Sequence, residues 1–432
     1  MRAPYLDDGD VRLYQGDVID VLREMDAESV QTCVTSPPYW GLRDYGEPGQ
    51  LGLEPTPGEY VARMVEVFRE VRRVLREDGT LWLNLGDSYA GSGPSGAAYQ
   101  SDTTKRRAAG GMDGAFRVSA RLAERGLTYA EKKPVAPPGL KPKDLVGIPW
   151  RVALALQEDG WWLRSDVIWS KPNPMPESVT DRPTRSHEYL FLLTKSARYF
   201  YDAEAVAERA VGANAHDLTG GGMNVPGQSP QSTRAVKLRN VRPGVDVAGG
   251  SGQCEGFIAY DEAKRNARSV WTITTKPYSG AHFATFPPEL PSRCIKAATP
   301  EAGCCAECGA PRERVIVATS PDGRSAEMRG GKAYDAEGRP LMGDNMIDHG
   351  TRGSWNSGGA TLKRETAGFR ASCDCDAPGV GAIVLDPFSG AATTALAARE
   401  LGRRAVGIEL NPDYLAISAD RLKQLSLFSE AS

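Results

Sequence analysis

The sequence predicts an α/β fold in which helices cover a mostly parallel sheet, with insertions between the core elements. Segments typical of strands alternate with segments of helical periodicity near both ends of the chain, and this alternation indicates parallel βαβ units. The chain has 432 residues, enough for two or three domains. Its 41% hydrophobic and 25% charged residues are ordinary values for a globular protein.

The first half of the chain carries most of the expected sheet. Its clearest helix spans 57–77, where apolar residues recur every three or four positions until Asp78-Gly79 ends the pattern. A strand at 31–35 stops at Ser36-Pro37-Pro38, because prolines after a strand impose an extended, non-helical exit. The other elements predicted here are strands 11–15, 80–85, 161–169 and 189–194 and helices 18–25 and 148–158.

The second half returns to the same alternation only near its end. Strand 382–385, helix 391–401, strand 404–408 and helix 411–425 follow one another there. Three polar or glycine-rich stretches interrupt the chain earlier. Of these, 90–145 is expected to be a mobile loop, 203–268 an insertion, and 318–370 has no predictable element.

Composition and charge indicate the expected location of the protein and its possible partners. The chain has no run of 18 apolar residues, and its N-terminal segment lacks the apolar core of a signal peptide. A cytoplasmic protein without a membrane segment is therefore expected. The net charge is only −3, but an acidic first hundred residues precede a basic second hundred. Such a basic region fits either a local nucleic-acid contact or a solvated charged surface.

The segment after strand 382–385 has the features of a nucleoside-binding turn. Asp386-Pro387-Phe388-Ser389-Gly390 lets a ligand approach the backbone, and the following helix N-terminus offers free N–H groups. Glu409, at the end of the next strand, is placed to accept hydrogen bonds from both ribose hydroxyls. Asp386 disfavours a phosphate and suits an ammonium group, which favours S-adenosylmethionine over a dinucleotide. The alternative is an ordinary βαβ unit with a glycine-containing turn.

The turn after strand 31–35 has the chemistry needed to hold an amine. Pro37 and Pro38 remove two N–H donors, which leaves the Ser36 hydroxyl and the carbonyl groups of Ser36 and Pro37 as acceptors. Acceptors aimed at the two hydrogens of a nucleobase NH2 expose its nitrogen lone pair, and Tyr39 can stack on the base. A base reaches such a pocket only when it is flipped from the duplex. The alternative is a rigid proline turn without a ligand.

Together these motifs resemble those of the amino-specific DNA methyltransferases, which methylate N4 of cytosine or N6 of adenine with S-adenosylmethionine. Ser36-Pro37-Pro38-Tyr39 is similar to their catalytic motif, and Asp386-Pro387-Phe388-Ser389-Gly390 to their cofactor motif. The catalytic motif comes first, which is the permuted order of the β group. The resemblance covers roughly residues 10–200, 269–300 and 380–425. It implies a Rossmann-like methyltransferase fold with a mostly parallel, seven-stranded sheet that contains one antiparallel hairpin strand.

The resemblance also implies roles for individual residues. Ser36, Pro37, Pro38 and Tyr39 would hold the target amine and its base. Glu409 would hold the ribose of the cofactor, with Asp17 near its adenine and Phe283 and Pro287 against its methionine part. The cofactor-binding set implied in this way is Asp17, Phe283, Pro287, Asp386, Phe388, Ser389, Gly390, Thr393 and Glu409.

The target base is expected to be cytosine. A serine in the first position of the catalytic motif, Ser36 here, is more typical of cytosine-N4 enzymes, and an aspartate of adenine-N6 enzymes. Segment 40–45 resembles the cytosine-N4 pattern as well. The alternatives are adenine-N6 methylation, methylation of RNA or protein glutamine, and a non-catalytic DNA-binding module. Cytosine-C5 chemistry is disfavoured because it needs a Pro-Cys nucleophile, and the chain contains no Pro-Cys pair.

The expected division of the chain follows these motifs. Residues 1–202 are assigned to the catalytic half of the methyltransferase domain and 376–432 to its cofactor-binding half. Between them we expect a target-recognition insertion at 203–268, a cofactor-packing segment at 269–303 and a zinc-bearing insertion at 304–375. The expected partner is duplex DNA. A cognate restriction endonuclease is a further candidate partner, although no residue directly indicates one.

Five of the eight cysteines fall into two short clusters. Cys305 and Cys308 form a CxxC pair, and Cys373 and Cys375 form a CxC pair. In a reducing compartment, four such thiolates favour a tetrahedral structural zinc over disulfides. Cys304 is an alternative ligand to Cys305, and reduced free thiols are the alternative to a metal site.

Several side chains are candidates for contacts with DNA. Asn173, Arg182 and Arg185 are expected near the flipped nucleotide or the phosphates, with a solvated proline-rich loop as the alternative. The basic groups 105–107 and 132–133 are candidate phosphate contacts or part of a solvated loop. His187 is expected to be structural rather than a base. The residues expected in the core rather than on a base are Trp82, Trp161, Trp162 and Trp169.

Overall fold

The computed structural model describes residues 2–42, 47–90, 136–137, 139–209, 264–275, 286–319, 325–329, 332–334 and 363–429. The chain divides into two compact units. The first comprises Met1–Asp202, Arg268–Arg312 and Ala371–Ser432, and the second comprises Ala203–Ala267 and Glu313–Arg370. Both the catalytic and the cofactor motif therefore belong to the first unit.

Helices and strands alternate through much of the described chain. The helices are α1 (Val18–Glu24), α2 (Pro57–Val74), α3 (Ile148–Glu158), α4 (Glu289–Ala298), α5 (Thr393–Glu400) and α6 (Pro412–Ser429). The strands are β1 (Leu6–Asp7), β2 (Val11–Gln15), β3 (Val30–Thr35), β4 (Leu75–Leu85), β5 (Trp162–Ser170), β6 (His187–Thr194), β7 (Glu208–Arg209), β8 (Lys264–Arg265), β9 (Val270–Thr272), β10 (Cys304–Cys305), β11 (Arg312–Thr319), β12 (Ser325–Arg329), β13 (Lys332–Tyr334), β14 (Lys363–Ala371), β15 (Gly379–Val380), β16 (Ile383–Asp386) and β17 (Arg404–Glu409).

The first unit is built on one large sheet with the strand order β1-β2-β17-β16-β3-β4-β6-β5-β9. Strands β2, β17, β16, β3 and β4 are mutually parallel, whereas β6 runs antiparallel to both of its neighbours. This arrangement confirms the expected mostly parallel sheet with one antiparallel hairpin strand. The seven expected strands are all present, and the short edge strands β1 and β9 extend the described sheet to nine.

Helix α2 covers this sheet with its apolar side. Its N-terminus is capped by the Thr56 hydroxyl, which accepts a hydrogen bond from the Glu59 N–H at 3.2 Å. The helix buries Tyr60, Met64, Val67, Phe68 and Val71 completely, and each side chain of this kind contributes about 1.5–3 kcal/mol relative to its exposed state.

The end of α2 differs from the sequence expectation. The helix stops at Val74 rather than at 77, and Asp78-Gly79 lies inside β4. Leu75 has an extended backbone with φ −68° and ψ 141°, pairs with Val30 of β3, and is fully buried. Pairing with β3 thus begins at Leu75, five residues before the strand that apolar alternation predicts at 80–85.

The second unit contains a sheet of its own, with the strand order β13-β12-β11-β14. These strands occupy parts of the 318–370 stretch in which no element was predictable. The same unit holds the antiparallel pair β7–β8, which bounds the expected target-recognition insertion. Residues 210–263 of that insertion, and most of the expected loop 90–145 with both of its basic groups, lie outside the described residues.

Three of the four tryptophans expected in the core are buried, namely Trp82, Trp161 and Trp169. Trp162 is 48% exposed, so its prediction was wrong. It directly follows the buried Trp161 and starts β5, and successive side chains of a strand point to opposite faces. None of the helices in the described ranges combines the length and the hydropathy that a bilayer span requires.

Candidate catalytic and cofactor site

The two motifs meet at one edge of the large sheet. Strands β3 and β16 are parallel neighbours, with Thr32 opposite Val384 and Cys33 opposite Leu385. Their carboxyl ends therefore lead into the Ser36 turn and the Asp386 turn side by side. A buried hydrogen bond joins the turns directly, from the Thr35 hydroxyl to Asp386 Oδ1 at 2.7 Å. Segments 351 residues apart in sequence are thus in contact.

The buried Asp386 side chain links three segments of the chain by hydrogen bonds. Its side chain accepts hydrogen bonds from the Thr35 hydroxyl, from the Thr394 hydroxyl at 2.7 Å and from the Phe388 N–H at 3.1 Å. The residue is only 3% exposed, and burial raises the pKa of its carboxyl above the ordinary value despite these donors. An ionised carboxylate offers about four acceptor positions, so these protein donors leave little capacity for a ligand.

Glu409 closes the cofactor turn from the neighbouring strand β17. Its Oε2 accepts a hydrogen bond from the Gly390 N–H at 2.8 Å, and its Oε1 accepts one from the Asn411 N–H at 2.9 Å. The turn needs left-handed backbone at Gly390 (φ 50°) and at Ala392 (φ 56°). Burial raises the pKa of Glu409. Its carboxylate thus fixes the turn that leads into α5.

Close packing between β17 and Ser389 supports the same turn. A Cβ added at Gly407 would lie 2.6 Å from the Ser389 Oγ and 2.7 Å from a Leu13 methyl group. The Ser389 hydroxyl is buried and has no hydrogen-bond partner in the described part of the chain. At the start of α5, the Thr393 hydroxyl accepts a hydrogen bond from Arg421 at 2.9 Å.

The remaining expected cofactor residues lie in separate places. Asp17 caps α1 and accepts a hydrogen bond from the Ile19 N–H at 2.9 Å. The preceding Gly16 donates its N–H to the carbonyl of Glu409 at 3.1 Å, so this turn adjoins the end of β17. Pro287 is buried just before α4, and Phe283 lies outside the described residues.

A hydrogen-bond chain organises the catalytic tetrapeptide. The Ser36 hydroxyl donates to Tyr39 Oη at 3.2 Å. Two acceptors face the Tyr39 hydroxyl, namely Glu188 Oε2 at 2.9 Å and Asn84 Oδ1 at 3.1 Å. Tyr60 donates to the carbonyl of Pro38 at 2.8 Å. Burial and the nearby Glu188 charge raise the pKa of Tyr39 well above its usual range, so the phenol stays neutral.

Gly86, the residue after β4, makes room for the Tyr39 ring. A Cβ at this position would lie 2.5 Å from Cε2 and 2.8 Å from Cδ2 of that ring. Tyr39 and Phe388 both pack against the same buried core of the first unit. The aromatic residues of the two motifs are therefore supported by one core.

The match to a known protein family includes both of these motifs. The sequence profile of the N6/N4 family, described as DNA methylase, matches residues 30–306 and 373–420 of this chain. The chain belongs to the N6/N4 DNA methylase family. The amino-specific methyltransferase family expected from the sequence is thereby confirmed.

Relatives of this DNA methylase match almost its whole length. The Type II methyltransferases M.XycI of Xanthomonas campestris pv. cyanopsidis and M.Cfr9I of Citrobacter freundii are 37% and 36% identical, over 95% and 98% of this chain and 87% and 91% of their own. M.SmaI of Serratia marcescens is 33% identical over 95% of this chain and 90% of its own. Among solved structures, PvuII DNA methyltransferase (cytosine-N4-specific) aligns over 97% of this chain and 88% of its own, at 14% identity and a TM-score of 0.47.

Two of the three residues expected near DNA, Asn173 and Arg182, have side-chain partners within the protein, whereas Arg185 Nη1 is buried without a hydrogen-bond partner among the described residues. The Asn173 side chain both accepts from the Thr275 N–H at 3.1 Å and donates to the Thr275 carbonyl at 3.3 Å. Arg182 pairs with Glu177 at 2.6 Å and lies over the ring of Tyr89 at 3.9 Å. These contacts hold the loop between β5 and β6.

The sequence pattern did not reveal which residues support the catalytic tetrapeptide. Glu188 forms an ion pair with Lys171, whose ammonium lies 4.2 Å from the centre of the Trp169 ring. Asn84 is oriented by its own hydrogen bond to the Tyr189 carbonyl at 3.0 Å. Asn84 lies in β4, the strand next to β3, and Glu188 lies in β6, one strand further on. Only this placement in the sheet indicates a role for them. The neighbouring His187 is partly buried, which lowers its pKa.

The four cysteines of the expected metal site also come together in this methylase. The sulfur atoms of Cys305, Cys308, Cys373 and Cys375 all lie within 4.8 Å of one another. Cys304 is not part of this group and is buried.

Proposed function

We propose that this DNA methylase transfers a methyl group from S-adenosylmethionine to the exocyclic N4 of a cytosine that is flipped out of duplex DNA. The main support is the hydrogen bond between Thr35 and Asp386, because it joins the segment before the 36–39 turn to the start of the 386–390 turn. Holding two bound reactants in a reactive geometry can remove about 7–11 kcal/mol of a barrier. We further propose that the enzyme acts in the cytoplasm.

The cofactor side of the proposal uses the turn after β16. Phe388, Ser389, Gly390 and Thr393 would line the site, and the remaining lone pairs of Glu409 would accept from the ribose hydroxyls. The buried Ser389 hydroxyl without a protein partner fits a bound polar ligand. When bound, S-adenosylmethionine supplies the electrophilic methyl group. Asp386 then acts mainly by fixing the turn, since three protein donors already occupy its carboxylate.

The base side of the proposal uses the tetrapeptide 36–39. The Ser36 hydroxyl oxygen and the carbonyl oxygens of Ser36 and Pro37 would accept from the amine, and the Tyr39 ring would stack on the base. The nitrogen lone pair would form the new N–C bond as the S–C bond breaks and a neutral thioether leaves, and the cationic nitrogen would then lose a proton to water. Catalysis on this route is positioning and electrostatic orientation, without a covalent enzyme intermediate.

Cytosine is preferred over adenine because Ser36 occupies the first motif position. The test is mass spectrometry of nucleosides from unmodified duplex DNA after incubation with the enzyme and S-adenosylmethionine. We expect N4-methylcytosine. If N6-methyladenine were the only product, the target base would be adenine and the cytosine assignment would be wrong. RNA and a glutamine-containing protein substrate, assayed in parallel, should remain unmodified.

The remaining parts of the proposal concern recognition and partners. We assign target recognition to the insertion 203–268 and assign duplex DNA as the partner. The curated relatives carry the designation Type II, which supports a role beside a restriction endonuclease. Calorimetry with S-adenosylmethionine separates this enzyme from a non-catalytic DNA-binding module, which would show no cofactor binding.

A further inference from the structure

The cysteine cluster has the dimensions of a tetrahedral metal site. The sulfur atoms of Cys305, Cys308, Cys373 and Cys375 lie within 4.8 Å of one another. Four thiolates at a Zn–S distance of about 2.3 Å would be roughly 3.8 Å apart, a spacing that small side-chain rotations reach from here. Thiolate sets of this kind select zinc over the harder Ca²⁺ and Mg²⁺ ions.

The backbone around the first pair is shaped for thiolates. Gly309 has a left-handed backbone (φ 70°) and donates its N–H to the Cys305 carbonyl at 2.9 Å, which closes a tight turn. Within this turn the N–H groups of Cys308 and Glu307 face the Cys305 sulfur. The turn is also attached to the sheet, because Arg76 donates to the carbonyl of Cys308 at 2.7 Å.

The fold selects Cys305 rather than Cys304 as the ligand. The two cysteines are consecutive in β10, which pairs with Val380 and Gly379 of β15. Consecutive strand side chains point to opposite faces. Both cysteines are buried, but only the Cys305 sulfur belongs to the cluster.

The cluster lies where the chain leaves the first unit and returns to it. Residues 313–370 of the second unit separate the two cysteine pairs. Protein contacts at the same place include the Ser372 hydroxyl on the Pro311 carbonyl at 2.6 Å and Arg312 on the Ala377 carbonyl at 3.1 Å. We propose that Cys305, Cys308, Cys373 and Cys375 bind one structural zinc ion that joins the two ends of this insertion. Closing so long a loop restricts the unfolded chain and stabilises the folded one.

The test measures metal in the full-length protein, purified without chelators from zinc-supplemented cells. We expect close to one zinc ion per chain by elemental mass spectrometry, and its release by a thiol-blocking mercurial. Cys308→Ser and Cys373→Ser should lose the metal. Cys304→Ala is the matched control, since it removes the adjacent cysteine outside the cluster, and it should keep the metal.

Two further measurements keep the test decisive if a serine variant does not fold. Cobalt substitution of the wild-type protein should give intense sulfur-to-cobalt charge-transfer absorption. Metal removal should also speed proteolytic cleavage within 313–370. A wild-type protein that contains no zinc and takes up none on reconstitution would overturn the proposal, as would full zinc content in folded Cys373→Ser. None of these results depends on methyl transfer.

A second inference rests on the proposed function and is carried by different contacts. Glu188 Oε2 and Asn84 Oδ1 can only accept hydrogen bonds from Tyr39, so the phenol must donate its single proton to one of them. Its oxygen then accepts from the Ser36 hydroxyl. With its hydrogen directed at Tyr39, the Ser36 oxygen is left with lone pairs for an incoming amine. We infer that Glu188 is a positioning residue that fixes the direction of this hydrogen-bond chain.

The substitution Glu188→Gln tests this direction. A carboxamide can donate to Tyr39 Oη and compete with the Ser36 hydroxyl, which would then turn its hydrogen towards the amine. We expect a roughly ten- to hundred-fold lower single-turnover rate, with unchanged KM values for DNA and S-adenosylmethionine. Tyr39→Phe removes the phenol and with it the hydrogen-bond chain. In that background, Glu188→Gln should have little further effect.

The control is Glu70→Gln, which alters an ion pair with Arg73 on the surface of α2. It should retain the wild-type rate. An active wild-type enzyme with an equally active Glu188→Gln variant, or additive losses in the double variant, would refute the positioning role. An inactive wild-type enzyme would instead count against the proposed function.

Discussion

At the scale of single residues, the site is organised by carboxylates that bind their own backbone. Asp386 connects β3, the cofactor turn and α5, and Glu409 connects the same turn to the loop after β17. The sequence motifs predicted both residues and their proximity to a ligand. They could not reveal that protein donors already occupy each carboxylate, because Thr35 is 351 residues from Asp386 and the nearer donors meet the carboxylates only through the folded turn.

The buried position of Glu409 gives a pH-dependent prediction. Burial raises its pKa above the ordinary value of 4.5, so the folded protein binds this proton more tightly than the unfolded chain does. Its contribution to stability is complete below the unfolded pKa and is lost as the pH rises through the folded pKa. Relative to Glu409→Gln, the free energy of unfolding of the wild type should therefore decrease as the pH rises above about 4. Denaturant titrations at a series of pH values measure this difference, and a constant difference would contradict the prediction.

At the scale of elements, apolar alternation predicts all seven principal strands because each lies in the buried sheet. The same signal misplaces the end of α2, where pairing between Leu75 and Val30 overrides helical periodicity. It also misses β12, β13 and β14, whose sequences are mostly polar. The partners of the tetrapeptide were equally unpredictable. Glu188 and Asn84 reach Tyr39 through strand order and register, which a single sequence does not display.

The junction after β4 provides an element-scale prediction. Gly86→Ala would place a methyl group 2.5 Å from the Tyr39 ring, so the ring or the strand end must move. A displacement of about 1 Å at a reacting centre can reduce the rate about 10²-fold. We expect a methyl-transfer rate lower by about that factor, measured under single-turnover conditions, with the secondary structure retained in circular dichroism.

Gly58→Ala is the matched control for this change. Its added Cβ would have only one neighbour, at 3.9 Å, and it lies in the first turn of α2. Alanine is favoured over glycine within helices by about 1 kcal/mol, so this variant should be as active as the wild type and no less stable. Equal activity of both variants would mean that the Tyr39 ring tolerates displacement.

At the scale of the whole molecule, the permuted motif order has a structural explanation. The catalytic turn comes from the N-terminal part of the chain and the cofactor turn from its C-terminal part, yet β3 and β16 are adjacent in one sheet. Insertions between the motifs therefore leave this adjacency intact as long as the sheet forms. The cysteine cluster lies within the same unit, at the point where the 313–370 insertion departs.

The proposed assignment of the base to the turn after β3 and of the cofactor to the turn after β16 predicts which variants the cofactor stabilises. A ligand that binds only the folded state stabilises it by about 2.7 kcal/mol at a concentration 100 times its Kd. S-adenosylmethionine should therefore raise the melting temperature of the wild type and of Ser36→Ala, whose change lies on the base side, while Ser36→Ala transfers no methyl groups. Glu409→Ala should lose the shift, because it removes both the proposed ribose contact and the hydrogen bond that holds Gly390. A shift that is retained in Glu409→Ala, or lost in Ser36→Ala, would show that the two halves of the site are not divided between the two strands in this way.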